Sequence, residues 1–82
     1  MRIDKFLNSV NLTKRRSIAQ DMLDNGVVSI NDKVVKASKN VAVGDIITIA
    51  YLNGEKKYQV LLLPEVKSTP KSEQDRYIKE VA

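Results

Sequence analysis

Lys14-Arg15-Arg16 is a basic triplet near the N-terminus, and it is the first place to look for chemistry. A guanidinium can grip a phosphate through two parallel hydrogen bonds or stack on an exposed base. Lysines beside it add point charge that draws any polyanion closer. Arg2 offers a second guanidinium, and Lys33, Lys36 and Lys39 follow at intervals of three. Asp4 cannot attract phosphate, so its expected role is to orient Arg2 or Arg16, or to cap a helix. Residues 1–40 carry eight Lys/Arg against four Asp/Glu, whereas residues 41–82 carry six of each. The whole net charge of +4 therefore lies in the first half. That concentration is the electrostatic footprint of a polyanion binder, and a solvated helix face is its plain alternative.

Other chemistries lack their residues. The chain has no histidine for acid–base work and no cysteine for thiol, zinc or disulfide chemistry. Its three glycines fit no phosphate-cradling loop, and its acids stand singly among lysines. The expectation is a protein that is not an enzyme and holds no metal or cofactor. No apolar run approaches the ~20 residues that span a bilayer, and the start does not read as a secretory signal. A cytoplasmic location follows as an expectation.

The elements that must position these cations come from periodicity. Ile3, Phe6, Leu7 and Val10 have the spacing of one buried helical stripe, so residues 2–9 read as a first helix. Thr13 reads as the N-cap of a second helix over about 14–24, on Ile18, Ala19, Met22 and Leu23. The triplet would then open that helix, where the positive end of the dipole adds to its pull on phosphate. Arg16 falls about a quarter-turn from the apolar stripe, so its head group should reach solvent. Gly26 suits the left-handed position after the last turn.

The period then shortens to that of strands. Val27 to Ile30 and Lys33 to Lys36 flank an Asn31-Asp32 turn, and Ile46 to Tyr51 and Tyr58 to Leu63 flank Asn53-Gly54, the strongest hairpin signal present. Alternation puts Tyr51 with Ile47 and Ile49, in the core. Residues 65–69 read as a linker, and Pro70 to Val81 as a short helix packing Tyr77, Ile78 and Val81. The fold class is α+β: two N-terminal helices on a small twisted sheet, with a domain over 1–64 and a linker and helix over 65–82.

Five fragments in order then carry a resemblance: Arg2-Ile3-Asp4-x-x-Leu7, Thr13-x-x-Arg16-x-x-Ala19, Gly26-x-Val28-x-Ile30-Asn31, Val35-Lys36-x-Ser38 and Val41-x-x-Gly44-Asp45-x-Ile47. Over residues 1–51 the chain resembles the S-four-type RNA-binding domain, named after a small-subunit ribosomal protein. As a nearly stand-alone copy it is similar to the RqcP family of bacterial quality-control factors, related to a small ribosome-associated heat-shock protein. The resemblance implies RNA contact by Arg2, Thr13, Lys14, Arg15, Arg16, Lys33, Lys36 and Lys39, with Asp4 structural. It further implies docking on an obstructed large ribosomal subunit, with large-subunit rRNA and P-site tRNA as partners and support for alanine tailing by RqcH. Away from the ribosome the expected state is a monomer with no membrane partner. Asn31-Asp32 stands where the family has Asn-Gly, and residues 65–82 are shorter and less basic than the heat-shock relative's extension.

Three other readings compete: a heat-shock-type recycler of split large subunits, a DNA-binding helix-turn-helix protein, and a protein-interaction module that meets an acidic partner.

Overall fold

A computed structural model of the chain describes residues 1–65 and 69–81. Two helices, α1 (Ile3–Ser9) and α2 (Arg16–Asp24), precede the strands β1 (Val28–Ile30), β2 (Lys33–Val34), β3 (Ile46–Tyr51) and β4 (Gly54–Val60). A 3₁₀ helix, Lys71–Arg76, leads into a last strand, β5 (Ile78–Val81). The five strands form one antiparallel sheet in the order β2-β1-β3-β4-β5.

Register explains the core. Ile30, Ile47 and Tyr58 lie opposite one another across β1, β3 and β4, Val28 lies opposite Ile49, and Val60 lies opposite Ile78. Period-two alternation sends all of these to one face. They form a single cluster with Ile3, Phe6, Leu7 and Val10 of α1 and Ala19 and Leu23 of α2. Each fully buried Ile, Leu or Phe contributes about 1.5–3 kcal/mol relative to exposure. The stripe read from the first helix is therefore what seats α1 on the sheet.

Both helices stop in the same way. After α1, Asn11 turns left-handed (φ 65°), its N–H reaches Asn8 O and the Leu12 N–H reaches Leu7 O. After α2, Gly26 does the same at φ 72°, with bonds to Leu23 O and, from Val27, to Met22 O. This is the Schellman closure, which satisfies carbonyls that a helix end would otherwise orphan. In the β1–β2 hairpin, Asn31 and Asp32 have φ of 51° and 70°, the left-handed pair of a type I′ turn.

Several expectations need correction. Residues 77–81 do not continue a helix: the short helix covers only Lys71–Arg76, and Ile78–Val81 pairs with β4 as the sheet's fifth strand. Residues 66–68, part of the expected linker, and Ala82 lie outside the described residues. Asn53-Gly54 is not the central pair of its turn; Tyr51 pairs with Gly54, so Leu52-Asn53 forms the loop. Tyr51 itself is 38% exposed, because this last pair before the turn lies beyond the core. Ile18 is 41% exposed, since Ala19 and Leu23 are the buried positions of α2.

The C-terminal segment returns to the first helix. Thr69 donates its Oγ1 and its N–H to Ser9 O (2.8 and 3.0 Å), and Gln74 Nε2 donates to Val10 O at 2.7 Å. Asn11 Nδ2 in turn donates to Thr69 O at 2.6 Å. The bonds from Thr69 and Gln74 take up the Ser9 and Val10 carbonyls at the end of α1.

Candidate nucleic-acid interface

Arg2 sits immediately before α1 with an extended backbone, and Asp4 lies in that helix's first turn. Arg16 is the first residue of α2, and Gln20 follows one turn later on the same side. The packing of α1 against α2 brings these four side chains to one point. Asp4 Oδ2 accepts from Arg2 Nη2 at 3.3 Å, from Arg16 Nε at 3.2 Å and from Gln20 Nε2 at 3.1 Å. Its other oxygen, Oδ1, accepts the Lys5 backbone N–H at 2.8 Å.

The exposures differ in a useful way. The Asp4 side chain is wholly buried, while those of Arg2 and Arg16 are 48% and 46% exposed. A buried anion thus anchors two cations whose outer surfaces meet solvent. Burial alone would push the Asp4 pKa up. The Gln20 amide, the Lys5 N–H and the Arg16 guanidinium outweigh burial and hold it below the ordinary 3.8. The carboxylate is therefore ionised at neutral pH, and the anchor persists.

The two arginines are held by different atoms. Arg16 bonds Asp4 through Nε, which leaves its two terminal amino groups side by side and uncommitted to Asp4. That is the edge a guanidinium uses for bidentate grip of a phosphate. Arg2 bonds through a terminal nitrogen and keeps Nε and the other amino group. A fixed guanidinium loses less conformational entropy on binding than a free side chain.

The remaining expected residues lie around this centre. Lys14 and Arg15 are exposed, in the turn before α2 and not within it. Thr13 is not the N-cap of α2: Arg15 holds that position, and the Thr13 hydroxyl donates to Arg15 O at 3.1 Å. Thr13 is also buried, with 6% of its surface exposed. Lys33, Lys36 and Lys39 are exposed and line an open groove of about 740 Å³ together with Ile30, Val34 and Val35. This groove is tied to the arginine site through the backbone. Ile3 N–H bonds Lys39 O at 2.7 Å, and Arg2 forms a β-bridge with Asn40.

Sequence reasoning missed Gln20. Its position four residues after Arg16 was the available signal, but that spacing does not reveal that both side chains converge on a residue of the other helix. Among the described residues no group of three or more His, Cys, Asp or Glu side chains is placed to hold a metal, and no helix is long and apolar enough to cross a membrane.

Comparison with known proteins finds relatives of the whole chain. Residues 1–47 match the S4 domain family. The chain is 47% identical over 78 residues to a Helicobacter pylori (strain 26695) protein named RQC P-site tRNA stabilizing factor, covering 95% of this chain and 93% of the relative. It is 42% identical over 74 residues to the Bacillus subtilis protein of the same name, covering 90% and 83%. The trimeric structure of Vibrio cholerae heat shock protein 15 is similar at a TM-score of 0.90 and 29% identity, covering all of this chain and 82% of that one.

Proposed function

This chain belongs to the S4 domain family, in the group of RQC P-site tRNA stabilizing factors, and from that membership we propose a non-catalytic, cytoplasmic RNA-binding factor that docks on the obstructed large ribosomal subunit. It contacts large-subunit rRNA and the P-site peptidyl-tRNA, and it supports RqcH-dependent alanine tailing of stalled nascent chains. One observation carries the reading: two half-exposed arginines from different helices share one buried carboxylate. A solvated helix face needs no such anchor. A phosphate-binding surface gains from it, because the guanidiniums are held in place before the ligand arrives.

Arg2 and Arg16 make the central contact in this reading. Lys14 and Arg15 add phosphate attraction at its edge, and the groove of Lys33, Lys36 and Lys39 extends it. RNA fits better than duplex DNA, because guanidiniums fixed at one point suit an irregular backbone and splayed bases. The likeness to the heat-shock protein keeps a second reading in view, a recycler of split large subunits carrying nascent chains.

Gradient sedimentation of a tagged copy from translating cells tests the proposal, with RNA and nascent chains read in each fraction. Enrichment on large subunits carrying peptidyl-tRNA, together with loss of alanine tails when the protein is removed, is the expected result. Intact tails with impaired recycling of split subunits would favour the second reading. Absence from ribosomal fractions at low salt would refute both.

A further inference from the structure

We infer that Gln20 is a positioning residue for the arginine pair, an inference that rests on the RNA-binding reading above. Its Nε2 donates to Asp4 Oδ2 at 3.1 Å, the oxygen that also accepts from Arg2 and Arg16. Helix α2 thus reaches Asp4 twice, once with a charged donor and once with a neutral one. The two bonds respond differently when a phosphate arrives. A phosphate that takes the free edge of a guanidinium also pulls it outward, which lengthens its bond to Asp4. It pulls much less on an uncharged amide that lies half-buried.

The carboxylate cannot be left without donors. Asp4 is fully buried, and a buried ion stripped of its partners carries a heavy desolvation penalty. The Lys5 N–H holds Oδ1, but Gln20 is the neutral side-chain donor on Oδ2. With Gln20 in place, an arginine can turn toward RNA while Oδ2 keeps a partner. Without it, that oxygen relies on the arginines alone and draws them back. Gln20 therefore sets how freely the guanidiniums can be shared between Asp4 and phosphate, though it need not touch RNA.

The test uses the full chain with three variants. Gln20→Met keeps side-chain length and helix propensity but removes the donor. Gln20→Glu sets a second carboxylate beside the first. Asp4→Asn combined with Gln20→Glu exchanges amide and carboxylate between the helices and restores one of each. The probe is purified large subunits carrying peptidyl-tRNA, titrated over a range of salt. Gln20→Met is expected to bind about tenfold more weakly, the effect of one modest charge-assisted hydrogen bond. Its salt slope should stay near wild type, because no phosphate contact has been deleted, while its melting temperature should fall by a few degrees as the buried carboxylate loses a donor. Gln20→Glu should bind more weakly still, and the exchanged pair should recover most of the loss.

Wild-type affinity in Gln20→Met overturns the inference. So does an exchanged pair that binds no better than Gln20→Glu alone, since a merely structural defect would not be rescued. If the wild-type chain ignores large subunits, the proposed function fails. The same ranking, measured on a non-specific RNA duplex, then decides the inference by itself.

Discussion

Replacing Arg16 by lysine keeps the charge and removes the geometry, which makes it the sharpest probe of the arginine site. In the structure Arg16 uses Nε on Asp4 at 3.2 Å and has both terminal amino groups left for a ligand. A lysine ammonium is a single point on a flexible stem. It can stay with Asp4 or turn to a phosphate, but it cannot bridge the two as a guanidinium does. The change therefore removes at least one charge-assisted hydrogen bond, worth about 1.5–3 kcal/mol. That corresponds to roughly 10- to 150-fold in affinity. The salt dependence separates this loss from simple charge removal. Arg16→Ala deletes one counterion-releasing contact, so the slope of log affinity against log salt should shrink by roughly 0.7–0.9. Arg16→Lys should lose affinity with its slope nearly kept. Fluorescence anisotropy with labelled RNA across a salt series measures both quantities, with Lys71→Ala as an exposed control from the 3₁₀ helix. Wild-type affinity in Arg16→Lys would refute the shared-guanidinium geometry. Equal losses in Arg16→Ala and Lys71→Ala would reduce the interaction to general electrostatics.

Three further outcomes are expected. Because the Asp4 pKa is depressed in the folded state, its contribution to stability is full above the ordinary carboxylate range and disappears as pH falls through the folded value. Urea unfolding from pH 7 to pH 3 should therefore lose less stability in Asp4→Asn than in wild type, with the variant about 1–2 kcal/mol less stable at pH 7. Asp32→Gly should stabilise the fold by about 0.5–1 kcal/mol, because Asp32 occupies a left-handed conformation at φ 70° that glycine adopts without penalty; chemical denaturation checks it, and RNA affinity should not fall. Thr69→Val removes the hydroxyl bond to Ser9 O and should lower stability by about 1 kcal/mol, read from thermal melts.

Where local pattern and tertiary packing agreed, the sequence was a good guide. The Ile3, Phe6, Leu7, Val10 stripe and the Gly26 stop predict α1 and the end of α2, and both stand in the structure. The S4 family and the α+β class were legible for the same reason: fixed turns and fixed apolar spacings carry that pattern. Failures came where distant segments decide. Tyr77, Ile78 and Val81 have the i, i+1, i+4 spacing of a helix, so the local period points away from the strand that forms. Pairing with β4 overrides that period. Thr13 has the side chain of a cap, but its hydroxyl bonds a carbonyl two residues on, and the helix starts later. Gln20 joins the site only because α1 crosses α2 at Asp4, a fact that no local window contains.

The return of the C-terminal segment to the end of α1 couples regions far apart in sequence. Thr69 and Gln74 reach back 60 and 64 residues to Ser9 and Val10. Contacts of such separation close late in folding, after loop entropy has been overcome. The helix that bears Asp4 is then secured at its far end only once the last segment has docked. Because this segment secures the end of α1, binding that stabilises the N-terminal arginines is expected to suppress opening of residues 69–74 as well. Amide hydrogen exchange in that segment should slow on binding, so the protein's tail reports on the occupancy of its head.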